Sequence, residues 1–106
     1  MTKKLQTILG EIRRELENLY GERLRGLVLY GSQARGEAKK DSDIDVAVFL
    51  TGPIDYDREV ERTSDLMGEI CLRYEIVPTF VFLEPQQLEK EKSPLLINIR
   101  REGIRI

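Results

Sequence analysis

The chain has no histidine, no tryptophan and a single cysteine, Cys71, in 106 residues. Without histidine, imidazole acid–base catalysis, a Ser-His-Asp triad and histidine-ligated zinc are all excluded. One cysteine excludes an internal disulfide and a cysteine-based zinc cluster; it suits a reducing cytoplasm, with Cys71 read as a small core residue. Long apolar runs are missing too. The N-terminal stretch MTKKLQTILGEIRREL holds no signal-peptide core and no segment approaches the length that crosses a bilayer, so the expectation is a cytoplasmic protein with no membrane partner. Nor is one sign of charge in excess: 17 basic residues stand against 19 acidic, for a net charge of -2. No global field draws the chain to nucleic acid, so direct nucleic-acid binding is not expected and any anion binding must be local. Chemistry, if present, falls to carboxylates.

What is there suits one folded α/β domain spanning 1–106. Apolar residues make up 41% and charged residues 34%, too apolar for a disordered chain. From Leu5 to Tyr20 the apolar positions Leu5, Ile8, Leu9, Ile12, Leu16, Leu19 and Tyr20 recur at steps of three and four, which predicts an amphipathic helix stopping near Gly21. Leu27-Val28-Leu29-Tyr30 reads as a buried strand closed by Gly31. After a polar loop over 37–42, Ile44, Val46, Val48 and Leu50 alternate with Asp43, Asp45, Ala47 and Phe49, a second strand with both carboxylates on one face. Residues 56–73 fit a helix burying Val60, Leu66, Met67, Ile70 and Cys71. A third strand covers 76–83, and its Pro78 argues for an edge position or an irregular start. A short charged helix over 86–92, a segment opened by Pro94, and a last short strand in Gly103-Ile104-Arg105-Ile106 complete the reading.

The informative stretch is YGSQARGEAKKDSDIDVAVFL, residues 30–50. A strand ending in Gly31-Ser32 permits a tight turn and close backbone approach, and a helix starting there aims free N–H groups at an anion. Phosphate is the natural guest. The Ser32 hydroxyl suits the N-cap or a phosphate oxygen, and Arg35 is placed to reach the same anion. Asp43 and Asp45, two apart on a strand, point the same way with α-carbons roughly 6.5–7 Å apart. Two such charges about 4 Å apart repel by roughly 4 kcal/mol at an effective dielectric near 20, so a cation belongs between them. All-oxygen ligands beside phosphate favour Mg²⁺ or Mn²⁺. The string GSQARG has the outer spacing of a P-loop, but Glu37-Ala38 stands where Lys-Ser/Thr is required, and D-S-D-I-D lacks the glycine and distal glutamate of an EF-hand.

Gly31-Ser32, ten residues, then Asp43-Ile44-Asp45 resembles the signature of the DNA polymerase β-type nucleotidyltransferase superfamily. More narrowly it is similar to the short MNT (minimal nucleotidyltransferase) proteins, antitoxin partners of HEPN-domain toxins, and the ending NIRREGIRI looks like that of this class. The resemblance implies a polymerase β-like catalytic domain, a small mixed β-sheet flanked by helices. It also implies that Gly31 and Ser32 hold the phosphates of ATP or another nucleoside triphosphate, that Asp43 and Asp45 bind Mg²⁺, and that AMP passes to a hydroxyl of a partner HEPN toxin. The family pattern adds a third carboxylate on a neighbouring strand, as metal ligand or general base. Its candidate is Glu75 in Tyr74-Glu75-Ile76-Val77, with a solvated residue at a strand start as the equal alternative. Asp41 and Asp57 have no sequence argument as replacements. Lys39, Lys40 and Arg35 form a basic patch beside the site, whereas Arg100, Arg101 and Arg105 read as solvated tail charges. Two other functions stay open: an antitoxin that neutralises its partner by binding alone, and, more weakly, nucleotidyl transfer to a small molecule such as an antibiotic. A homo-oligomer is also open.

Overall fold

The structure is a computed structural model in which residues 1–37 and 43–106 are described. Lys39, Lys40 and Asp41 therefore lie outside the described residues.

Helix α1 (Lys3–Tyr20) starts where the Thr2 hydroxyl accepts from the Leu5 N–H, and of the predicted stripe it buries Leu5, Ile8, Leu9, Ile12, Leu16 and Tyr20 but leaves Leu19 exposed. A single 3-10 turn, Gly21–Arg23, leads into β1 (Leu24–Tyr30). One helical turn, α2 (Ser32–Arg35), then precedes β2 (Ile44–Leu50). Helix α3 (Tyr56–Tyr74), capped by Asp55, crosses back to β3 (Pro78–Leu83). Helices α4 (Pro85–Lys90) and α5 (Pro94–Glu102) follow, and the last strand is β4 (Ile104–Arg105).

The sheet order is β3-β2-β1-β4. β1 pairs antiparallel with β2 and with β4, while β2 and β3 run parallel, as the α3 crossover requires. This is the expected small mixed sheet flanked by helices. Because side chains alternate across a strand, Leu27, Leu29, Ile44, Val46, Val48, Leu50, Phe80 and Phe82 meet α1 and α3 on one face. Ala47, Phe49 and Leu83 meet Leu96 and Ile99 of α5 on the other. That second face is covered at the Leu50 end of β2 and opens towards Asp45, which is half-buried.

Several details differ from the sequence reading. β3 starts at Pro78, not at position 76; the proline takes the first position of an edge strand, where it removes no ladder bond, and the Val77 carbonyl instead accepts from the Ile44 N–H at 2.9 Å. Cys71 is exposed, not a core residue, and so is Val60. The buried side of α3 carries Glu59 and Thr63 as well as Leu66 and Ile70. Glu59 is only 2% exposed. It is tolerated there because the Tyr20 hydroxyl donates to it at 2.9 Å and Arg62 and Arg23 stand 3.6 and 3.9 Å away. Burial and this carboxylate push the Tyr20 phenol well above its ordinary range. On the far edge of the sheet, the Tyr56 hydroxyl donates to the Phe80 carbonyl at 3.4 Å.

Candidate active site

The site forms where β1 ends, the α2 turn begins and β2 enters the sheet. Gly31 has φ 77°, in the region that L side chains rarely adopt, and a Cβ placed on it would collide with the Asp45 Oδ2. Glycine is required there for two reasons, conformation and space. The Gly31 carbonyl accepts from the Ala34 and Arg35 N–H groups at 3.1 Å, and Gly36 at φ 73° ends the turn. Ser32 is the first residue of α2, with Gly31 as its N-cap and no side-chain cap bond, so the expectation that Ser32 itself caps the helix is corrected. Gly31 and Asp45, fourteen positions apart in a chain read from Gly31, are thus in direct apposition.

Asp45 is paired with Tyr30 across β1 and with Thr79 across β3, all on the open face. Burial raises the Asp45 carboxyl above its ordinary value; Asp43 adds to the rise and Arg35 opposes it. Asp43 itself is exposed just before β2. Burial, the Asp45 charge and Tyr56 together push the Tyr30 phenol up to about 12. The two aspartates therefore sense one another, and among the described residues the positive charge that acts on Asp45 is Arg35. Two carboxylates are a set that Mg²⁺ accepts, since it commonly keeps several waters and takes further ligands from phosphates.

Arg35 does not project freely. Its Nη1 donates to Glu102 Oε1 at 2.9 Å and Oε2 at 3.1 Å, and its Nε donates to Glu37 at 3.1 Å. The same Glu102 Oε1 accepts the Gly31 N–H at 3.3 Å. Sequence reasoning missed Glu102, because only the fold carries the end of α5 back to β1. The tail arginines Arg100, Arg101 and Arg105 are exposed, as read, and the Arg100 guanidinium also donates to the Leu88 and Glu91 carbonyls near the end of α4.

Glu75 is not brought to the aspartates. It ends α3 as its C-cap, exposed and left-handed at φ 56°, ψ 40°, with its N–H bonded to the Cys71 carbonyl. The placement on a neighbouring strand fails because the chain needs Glu75 to Val77 to turn from helix to strand. The β3 residue in register with Asp45 is Thr79, and among the described residues no three His, Cys, Asp or Glu side chains are grouped as a metal site.

Comparison with known proteins agrees with this fold. The model of a nucleotidyltransferase domain family matches residues 9–103. Protein adenylyltransferase MntA of Thermococcus cleftensis is 41% identical over 75 residues, covering 71% of this chain and 74% of that protein. A Methanocaldococcus jannaschii protein, provisionally named a protein adenylyltransferase, is 32% identical over 101 residues, covering 92% of this chain and 67% of its own. Among solved structures, a toxin–antitoxin with AMP-PNP superposes with a TM-score of 0.66 at 21% identity, covering 91% of this chain and 69% of that one. A tri-AMPylated Shewanella oneidensis HEPN toxin in complex with MNT antitoxin gives 0.59 at 19% identity, covering 94% and 69%. At these identities the solved structures establish the shared fold.

Proposed function

This chain belongs to the nucleotidyltransferase domain family, and on that premise we propose that it uses Mg²⁺ and ATP to transfer AMP to a hydroxyl of a HEPN-domain toxin, acting as its antitoxin. The carrying observation is the apposition of Gly31 with the Asp45 carboxylate, which joins the phosphate turn and the carboxylate pair into one site. The names of the adenylyltransferase relatives, and the AMP-PNP and AMPylated-toxin complexes that share the fold, support the choice of nucleotide and partner.

In this reading the Gly31-Ser32 turn and Arg35 hold the triphosphate, and Asp43 and Asp45 are the residues that would hold Mg²⁺. When bound, Mg²⁺ neutralises charge on the phosphoryl oxygens as they become more negative. The acceptor oxygen attacks the α-phosphorus, the bond to the β-phosphate bridging oxygen breaks, and pyrophosphate leaves. The hydroxyl proton passes to water or to a group on the partner, since Thr79 and not a carboxylate faces Asp45 from β3.

The test is incubation with labelled ATP, Mg²⁺ and the product of the adjacent gene. Label should reach the partner, and Asp43→Ala with Asp45→Ala should abolish it. Thr79 also favours a second reading, neutralisation by binding alone. That reading wins if no label appears and the double variant still silences the toxin.

A further inference from the structure

We propose that Glu102 is an internal competitor for the phosphate site: its carboxylate occupies the Gly31 N–H and the Arg35 guanidinium, and it must swing out before a triphosphate can enter. The inference rests on the nucleotide reading of Gly31 and Arg35. One oxygen, Oε1, accepts from the Gly31 N–H at 3.3 Å and from Arg35 Nη1 at 2.9 Å, and Oε2 takes a second bond from Nη1 at 3.1 Å. A backbone N–H has a single proton, so a phosphate oxygen cannot use the Gly31 donor while the carboxylate holds it. Like charge adds to the exclusion. The guanidinium is already engaged by Glu37 and Glu102 and lies within the field of Asp45, which also feels Asp43. Two carboxylates thus contact one cation and a third lies in its field, and an incoming polyanion gains that cation fully only if a carboxylate leaves it.

Glu102 is the group free to leave. The backbone beyond it is fixed: Gly103 donates to the Ile99 carbonyl, a Cβ on Gly103 would overlap that carbonyl and the Val28 side chain, and Ile104 pairs with Leu29. Departure is therefore a side-chain rotation about the end of α5, and the Glu102 side chain is already 20% exposed. The carboxylate keeps Arg35 aligned, at the expense of affinity.

Calorimetry with tripolyphosphate and with Mg·ATP on the wild type, Glu102→Gln and Glu102→Ala tests this. Both variants are expected to bind tripolyphosphate about tenfold tighter than wild type, the ratio for a latch closed about nine-tenths of the time. Equal or weaker tripolyphosphate binding by the folded Ala variant overturns the latch and leaves Glu102 as a residue that only orients Arg35. Tighter tripolyphosphate binding with no Mg·ATP binding in any form keeps the latch and removes the nucleotide reading. Wild-type binding of Mg·ATP with no gain in either variant does the reverse. A check that needs no substitution is the carbon-13 resonance of the Glu102 carboxylate in labelled wild type. It should move on saturation with tripolyphosphate, and an unmoved resonance overturns the proposal.

Discussion

Gly31 carries two constraints that a single added methyl would violate. Gly31→Ala forces a side chain into positive φ, costing about 1–2 kcal/mol of stability, and drives its Cβ into the Asp45 carboxylate. We expect a folded protein with a lowered urea midpoint and no measurable transfer of AMP; retained labelling would sink the assignment of this turn to the nucleotide. Asp45 makes a different prediction. Burial first, then Asp43, raises its carboxyl in the folded state. A folded-state value above the unfolded one means the native protein holds that proton more tightly. Stability is then highest below the unfolded value and falls as pH rises through the raised one. Asp45→Asn is neutral throughout and escapes this loss, so in metal-free buffer its Tm advantage over wild type should grow from about pH 3.5 to pH 7. A constant difference across that range would show that Asp45 is not strained by its surroundings. The apposition of Gly31 and Asp45 was readable in the sequence because strand periodicity and local turn chemistry set their directions, whereas Asp43 falls just before β2 rather than on it. Glu102 was not readable, since its partners Arg35 and Gly31 lie 67 and 71 residues away.

Helix α3 shows why an element can be foreseen and its details missed. Apolar spacing located it, but the buried face includes Glu59, held by Tyr20, Arg23 and Arg62, and Thr63, whose hydroxyl donates to the Glu59 carbonyl at 2.9 Å. A pattern built on apolar residues passes over these positions, and so Cys71 and Val60 were assigned to a face that points outward. The helix ends on Glu75, the one non-glycine residue with positive φ among the described residues. Glu75→Gly removes that steric penalty and should stabilise the protein by about 1 kcal/mol, net of the added freedom of the unfolded chain. The urea midpoint should rise and AMP transfer should continue. Loss of transfer in the stabilised variant would return Glu75 to the chemistry.

At the scale of the molecule, the site depends on the order β3-β2-β1, which puts the aspartate strand between two neighbours. The parallel register aligns Asp45 with Thr79. Strand periodicity alone leaves such a register open, so of the two readings of Glu75 the sequence left equal, metal ligand or solvated residue, only the fold favours the second. Thr79→Asp would add a carboxylate from a strand about 4.8 Å away. Mn²⁺ should bind on the order of tenfold tighter by titration, while the metal-free protein loses stability through like-charge repulsion. Unchanged Mn²⁺ affinity would argue that position 79 does not reach the ion.

The outer border of β3 has a consequence for behaviour in concentrated solution. A border strand offers unpaired carbonyls and amides to any other extended chain, which makes it a seed for self-association. Here Pro78 contributes no amide at the first position, and the Tyr56 hydroxyl occupies the Phe80 carbonyl from α3. The helix that delivers the chain to β3 thus also shields that strand's exposed flank, so that crowding is met by a side chain already in place where a foreign strand would dock.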